Sequence, residues 1–180
     1  MLPAMRRIAS FIVLALVLAA CGGDGDPADP VELGVPEGRA CSDALSLPSE
    51  GQDHIEVGQR TTFATDPPMS GPHWGPPGGP VPAGIHNQAF PDEATVHNLE
   101  HGHVIVHHNG LPPEVLEEIE AIVRADPVQM LVVSRPTMPW VLAFTAWTVA
   151  QVCDEVPDDL IEMLRTFVRE HRDNAPESVP

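Results

Sequence analysis

The sequence predicts an α+β fold, in which a small mixed or antiparallel sheet is covered by two to three helices. In two segments, over 113–125 and 157–172, apolar residues recur every three to four positions, as on the buried face of a helix. Short β-branched runs lie before and between these segments and predict strands. A long Pro/Gly-rich loop precedes all of them. Helices and strands mixed in this order, without regular alternation, are typical of α+β domains.

The predicted elements begin near the middle of the chain, after an irregular N-terminal half. A short helix covers 93–101, and Gly102 can end it in a left-handed turn. A strand over 103–108 follows, and the Asn109-Gly110 turn closes it. The remaining elements are a helix that opens at Pro112 or Pro113 and ends at Ala125, a strand over 130–133, a strand over 140–152 and a helix over 157–172.

Two weaker elements complete the predicted secondary structure. The strands over 130–133 and 140–152 are joined through 134–139, and this arrangement predicts a hairpin with a loose turn, because the connection contains two prolines. One further short strand is expected near 60–63.

Residues 67–91 are dominated by proline and glycine, above all over 67–80. Such a run can be neither a helix nor a central strand. A loop of this length in a compact domain is either functional or disordered. Trp74 favours an ordered loop, because a tryptophan that packs in the core anchors the chain around it.

The first 20 residues are predicted to be a lipoprotein signal peptide. Arg6 and Arg7 precede an apolar stretch over 8–20 that is too short to span a bilayer comfortably. It ends in Leu18-Ala19-Ala20-Cys21, which resembles a bacterial lipobox, and this resemblance implies cleavage before Cys21 and lipid attachment to its sulfur. The alternatives are an ordinary signal peptide and an uncleaved anchor.

The domain organisation follows from this N-terminus. Residues 21–38, rich in Gly, Pro and Asp, are predicted to be a flexible tether. Residues 39–177 form a single α+β domain and 178–180 a tail. The protein is therefore expected to be extracytoplasmic and anchored to the membrane by its lipid.

The chain is strongly acidic, with 26 Asp and Glu against 9 Lys and Arg and a formal net charge of −17. Nucleic-acid binding needs clustered cations, so no nucleic-acid partner is expected. The sequence also lacks a glycine-rich phosphate loop, so no nucleotide is expected. The negative field attracts metal cations and basic partners, although acidity can also serve solubility alone.

Two cysteines remain if Cys21 carries lipid. Cys41 and Cys153 are predicted to form a disulfide, because paired thiols outside the cytoplasm usually oxidise. The alternative is that one of the two thiols binds copper. The absence of a CxxC motif and of close Cys–His spacing favours the disulfide.

Ionisable side chains are most concentrated in the run His97-Asn98-Leu99-Glu100-His101-Gly102-His103. On a helix, His97 and His101 stand at i and i+4, so both imidazoles lie on one face and can bind the same metal ion. Glu100 borders that face. The simpler alternatives are that the histidines cap the C-terminus of the helix or form buried hydrogen bonds with the backbone.

Two further histidines can complete a metal site. His73 lies in the Pro/Gly loop, which can fold over the helix, and His54 can be a fourth ligand or lie just outside the ligand set. Three imidazoles with an open position describe a zinc or copper site. The predicted ligands of a copper or zinc ion are His54, His73, His97 and His101. Glu100 and Met69 are predicted to lie beside the ion, and Glu100 is a candidate base.

Three blocks of sequence carry a family resemblance: Pro67–Trp74, Val96–Gly102 and Leu142–Trp147. Together they resemble the bacterial family of the domain of unknown function numbered 3105, over about His54 to Glu177. Met69 stands where that family usually has threonine. The resemblance implies little about the activity, because the family is named for its lack of an assigned one.

Three functions are compatible with the sequence. The first, which we favour, is binding of copper or zinc for storage, delivery or sensing, and Met69 and Met138 would favour copper. The second is zinc-dependent hydrolysis, because His97-x-x-Glu100-His101 matches the inverted motif H-x-x-E-H, in which the glutamate activates water. The third is an interaction domain without metal, whose partner is another envelope protein.

Overall fold

The structure, a computed structural model, describes residues 30–177. The predicted signal peptide, the lipid attachment at Cys21 and the tail over 178–180 lie outside the described residues. The α+β fold is confirmed, because the described part of the chain contains three helices, a six-stranded mixed sheet and a two-stranded sheet. In chain order the elements are β1 (Leu45–Ser46), β2 (His54–Ile55), β3 (His73–Trp74), β4 (Gly84–His86), α1 (Asp92–Glu100), β5 (Val104–His108), α2 (Pro113–Ala125), β6 (Met130–Ser134), β7 (Leu142–Ala146), β8 (Val149–Cys153) and α3 (Leu160–His171).

The larger sheet has the strand order β1-β8-β7-β5-β6-β4. Helix α2 connects β5 to β6, and this crossover makes the two strands parallel. Strand β4 is also parallel to β6, whereas β7 runs antiparallel to both β5 and β8. All five residues of β5 and of β7 are buried, as in strands covered on both faces.

Two apolar clusters lie on opposite faces of this sheet. Successive residues of a strand point to opposite faces. Val104 and Val106 of β5 accordingly pack with α2 and α3, while Ile105 packs with α1. Ile119 of α2 and Leu164 of α3 have no exposed surface. The apolar stripes that predicted the two long helices therefore face the core, and both helices are confirmed.

The predicted hairpin between 130–133 and 140–152 is wrong. The second segment forms a hairpin by itself, in which Trp147 and Thr148 join β7 to β8, and β6 pairs with β5 and β4 instead. Two-residue turns are usually marked by Asn or Gly, which tolerate a positive φ. Here Thr148 has a φ of 61°. The turn therefore leaves no signal in the sequence, and the segment resembles one continuous strand.

The strand expected near 60–63 is also wrong. The Glu93 carboxylate binds this segment instead, at 2.8 Å from Arg60 Nη1 and 3.1 Å from the Thr61 backbone nitrogen. The sequence did not predict β1, β2, β3 or β4, which are two or three residues long. Strands so short carry no alternating pattern, and they form only where a distant segment supplies the partner.

Cys41 and Cys153 form a disulfide, as predicted, so neither sulfur is free to bind copper. The bridge joins the N-terminal part of the domain to the end of β8 across 112 residues. A loop of this size contributes on the order of 4–5 kcal/mol to stability in the chain-entropy model. The disulfide therefore strengthens the edge of the sheet formed by β1 and β8.

The first described residues lie against the domain, within the range of the predicted tether. The Val31 backbone nitrogen donates to the Ala64 carbonyl at 2.7 Å, and Leu33 is 4% exposed. Packing therefore begins before the predicted domain boundary at residue 39. Among residues 30–177, no helix has the length and apolar character needed to cross a bilayer.

His107 makes folding stability depend on pH. It lies on β5, and burial, followed by the nearby Arg135 and His108, lowers its pKa well below 6.5. Its Nε2 is 2.9 Å from Thr145 Oγ1, and its Nδ1 has no hydrogen-bond partner within the described part of the chain. Below about pH 6.5 the unfolded chain therefore binds a proton that the folded chain does not, and stability falls toward acid pH.

We expect the substitution His107→Gln to make this acid-induced decline shallower, because glutamine does not titrate. Its amide can still contact Thr145. The slope should decrease by up to about 1.4 kcal/mol per pH unit below pH 6.5, the contribution of one proton. Urea unfolding of both proteins at several pH values measures the slope, and parallel stability curves would contradict the assignment.

Candidate metal centre

The Pro/Gly-rich segment is ordered at His73 and Trp74, which form β3. Strand β3 pairs in parallel with β2, and the register places His54 beside His73 and Ile55 beside Trp74. Residues paired in this way point to the same face, so both imidazoles project to one side. Trp74 packs in the core, as predicted, and its Nε1 donates to the Gln59 carbonyl at 2.7 Å.

Helix α1 packs against β3 and carries His97, while His101 is the residue that caps its C-terminus. The rings of His97 and His101 have centroids 4.6 Å apart and Nε2 atoms 3.0 Å apart. The loop approaches α1 closely because Gly79 has no side chain. A Cβ atom there would lie 3.0 Å from the Ala94 carbonyl oxygen and 3.0 Å from His97 Cβ. Gly102, with a φ of 81°, follows the end of the helix in the predicted left-handed conformation.

Three imidazoles from three separate segments converge. The ring centroids are 4.9 Å apart for His54 and His73, 4.9 Å for His54 and His97, and 5.1 Å for His73 and His97. One nitrogen of each ring lies within 4.8 Å of the other two. His97, Glu100 and His101 form a second group by the same measure. The structure thus brings together the four predicted histidines and Glu100, and these residues could hold a metal ion.

Hydrogen bonds to backbone carbonyls orient the two most buried rings. His73 Nδ1 donates to the Gly71 carbonyl at 2.8 Å, and His97 Nδ1 donates to the Trp74 carbonyl at 2.6 Å. A carbonyl oxygen can only accept, so each Nδ1 carries hydrogen. Each ring in its neutral form therefore presents the lone pair of Nε2 to the cluster. Metal-binding histidines are usually held in this way.

Glu100 lies among the histidines and is 2% exposed. Its Oε2 is 2.9 Å from His73 Nε2 and 3.5 Å from His54 Nε2. Two donors that each lie about 2.0–2.1 Å from a tetrahedral ion are roughly 3.3 Å apart. The separations around Glu100, like the 3.0 Å between the Nε2 atoms of His97 and His101, are close to that value. These distances are those of a hydrogen-bonded cluster and are also compatible with a shared ion.

The electrostatics keep His97 in the form that binds metal. Burial is the main cause that lowers its pKa below 6.5. The hydrogen bond to the Trp74 carbonyl acts in the opposite direction, and the neighbouring imidazoles of His101, His73 and His54 lower the pKa further. Metal binding requires a neutral imidazole, so protons compete weakly for His97 at neutral pH.

The cluster meets solvent at two of its histidines. The side chains of His54 and His101 are 46% and 17% exposed, whereas that of His73 has no exposed surface. His54 and His101 are therefore the two histidines of the cluster that solvent reaches.

The C-terminal segment of the described chain lies beside His101. The Glu177 backbone nitrogen donates to the Glu100 carbonyl at 3.1 Å, and Glu177 Oε2 is 3.4 Å from His101 Nε2. The Asp173 backbone nitrogen donates to the Gly102 carbonyl at 3.0 Å. Sequence analysis missed Glu177, because the contact exists only after the end of the chain has returned to α1.

Met69 is 2% exposed and belongs to a third apolar cluster. The other buried members of this cluster are Leu33, Met138, Ala143, Ala150 and Val152. Both methionines that would favour copper are therefore core residues, and their thioethers give no support for copper over zinc.

The remaining histidines have other contacts. Asn98 Nδ2 donates to His103 Nδ1 at 3.1 Å, and burial lowers the pKa of His103 to about 4. His86 Nε2 donates to the Pro82 carbonyl at 2.7 Å. His86 and His103 therefore lie outside both groups of candidate ligands.

Fold and site together define a small α+β domain with a partly buried cluster of imidazoles and one carboxylate. Residues 54–179 match the family described as Protein of unknown function (DUF3105). The match covers more than half of the chain, so the chain belongs to this family, as the sequence motifs predicted. No curated protein and no solved structure matches the chain. The matched range includes every candidate ligand, from His54 onward.

The close approach of the loop to α1 leads to a prediction for Gly79. We expect Gly79→Ala to lower the free energy of unfolding by about 1–3 kcal/mol, because the added methyl group meets backbone and side-chain atoms of α1 that cannot easily move. Gly34→Ala is the matched control, since a Cβ atom at Gly34 has no neighbour within 4 Å. Urea unfolding compares the two variants. Equal stability of both would show that the loop moves freely away from the helix.

Proposed function

We propose that this protein is an extracytoplasmic lipoprotein that binds one zinc or copper(II) ion through its histidine cluster. The observation that carries the proposal is the orientation of His73 and His97. Each ring donates a hydrogen bond through Nδ1 to a backbone carbonyl. His73 Nε2 then lies 2.9 Å from Glu100 Oε2, and His97 Nε2 lies 3.0 Å from His101 Nε2. In the neutral form of each ring, the Nε2 lone pair points into the cluster, where one nitrogen of His73 lies within 4.8 Å of one nitrogen of His97.

The donor types favour zinc or copper(II) over copper(I). Within residues 30–177 the two groups of candidate ligands contain imidazoles and a carboxylate but no cysteine. Cys41 and Cys153 are bonded to each other, and Met69 packs in an apolar cluster. Soft sulfur ligands select copper(I), whereas imidazoles suit zinc and copper(II).

Two features support a location outside the cytoplasm. The lipobox-like sequence ending at Cys21 would anchor the mature chain to a membrane. The disulfide between Cys41 and Cys153 is typical of oxidising compartments. The acidic surface would raise the local concentration of metal cations around such a protein.

Zinc-dependent hydrolysis is the second candidate, because His97, Glu100 and His101 lie close enough to one another to hold an ion. In that mechanism Glu100 must activate a water molecule. Its carboxylate instead contacts His73 and His54, on a helix of only nine residues, and we therefore favour binding without catalysis. If the protein is a hydrolase, Glu100→Gln should keep zinc and lose peptide hydrolysis. If it is a binding protein, wild type and variant should both fail to cleave an unstructured protein substrate.

Replacing a proposed ligand tests the proposed function directly. We expect His97→Ala to weaken binding of zinc or copper(II) by at least about tenfold and His101→Ala to weaken it to a smaller extent, because each substitution removes a direct ligand and only His97 belongs to both groups of candidate ligands. Isothermal titration of the metal-free full chain measures affinity and stoichiometry. His86→Ala is the control, since His86 contacts the Pro82 carbonyl outside the cluster.

Equal affinity in wild type and both ligand variants would refute the site. A third function, an interaction domain without metal, predicts that chelators leave the thermal unfolding of protein purified from its native envelope unchanged. Bound metal instead stabilises the folded state by about 2.7 kcal/mol when its free concentration is about 100 times Kd. Elemental analysis of the same preparation identifies the ion.

A further inference from the structure

The two groups of candidate ligands share one residue. The first group consists of His54, His73 and His97, and the second of His97, Glu100 and His101. Each group offers one donor atom per residue, and all donors of a group lie within 4.8 Å of one another. Each group could therefore hold an ion with three ligands, and His97 belongs to both groups.

His97 can serve only one ion at a time. Its Nδ1 donates to the Trp74 carbonyl at 2.6 Å, so Nε2 is the one nitrogen left to bind metal. An imidazole nitrogen has a single lone pair, which binds one ion. An ion in the first position therefore occupies His97 and leaves the second position with only two ligands. An ion in the second position deprives the first position of His97 in the same way. Since both positions lie about 2.0–2.1 Å from the same atom, they are at most about 4 Å apart.

The two positions have separate contacts with solvent. The first ends at His54, whose side chain is 46% exposed. The second ends at His101, whose side chain is 17% exposed and lies 3.4 Å from the Glu177 carboxylate. His97 and Glu100 are each 2% exposed. Each position therefore has one ligand that solvent reaches, and that ligand differs between the two positions.

Resting on the proposed function, we infer that the cluster is a transfer site, in which a single ion moves between two overlapping positions around His97 Nε2. The ion exchanges the nitrogens of His54 and His73 for that of His101 and keeps His97. Glu100 can remain bound during this exchange, because its Oε2 is within 3.5 Å of His54 Nε2 and the residue also belongs to the second group. Metal–nitrogen bonds break and form, and no electron is transferred.

Copper(II) titration of the full chain, followed by electron paramagnetic resonance at low temperature, tests this inference. We expect one ion per wild-type chain at saturation and two superposed spectra, one for each position. His54→Ala should leave only the spectrum of the second position, and His101→Ala only that of the first. Both variants should still bind one ion.

His97→Asn should weaken binding at least about tenfold more than either of those variants, because it removes both positions together. Asparagine can still donate to the Trp74 carbonyl from the place of Nδ1, so this substitution retains the buried hydrogen bond. Circular dichroism and urea unfolding of the metal-free proteins check that each variant folds. If His97→Asn does not fold, the spectra of His54→Ala and His101→Ala decide the question alone.

Two ions per chain, or one wild-type spectrum that neither His54→Ala nor His101→Ala changes, would overturn the transfer site and leave the proposed metal binding intact. Failure of the wild-type chain to bind copper(II) and zinc would instead refute the proposed function itself.

Discussion

The hydrogen bond from His97 Nδ1 to the Trp74 carbonyl is the interaction on which the candidate site depends. It joins α1 to β3, and it also determines which nitrogen of His97 faces the other donors. The bond between His73 Nδ1 and the Gly71 carbonyl does the same for the second buried ring. A buried ring nitrogen without a partner costs about 1–3 kcal/mol, so these bonds hold the rings in one orientation.

Helix α1 can bury its polar side chains because loops form hydrogen bonds with them. Eight of its nine residues are buried, although several are charged or polar. The Glu93 carboxylate binds Arg60 and the Thr61 backbone, and the Asn98 amide binds the backbone of Val81 at both its nitrogen and its oxygen. Buried polar groups are stable only with such partners. The loops that appear irregular in sequence therefore supply the hydrogen-bond partners of the buried polar side chains on α1.

The predictability of the fold differs between its two halves for a physical reason. Helices α2 and α3 have one buried and one exposed face, and their apolar stripes revealed them. Strands β5 and β6 each begin with at least three consecutive apolar residues in the covered centre of the sheet, and they were also predictable. The N-terminal half has two-residue strands and side chains bound to distant backbone atoms. Neither of these leaves a periodic pattern in the sequence. The turn at Thr148 could not be predicted either, because threonine rarely adopts a positive φ and so does not indicate a turn of this kind.

Three local features could be read from the residues alone: the two amphipathic helices, the short helix that ends before Gly102, and the spacing of His97 and His101 on one helical face. These depend on bonds between residues a few positions apart. The contacts of His54, His73 and Glu177 with that pair arise only when distant parts of the chain come together in the fold. Their placement depends on hydrogen bonds between strands and loops far apart in the chain, and no local pattern of residue types records which distant partners will meet.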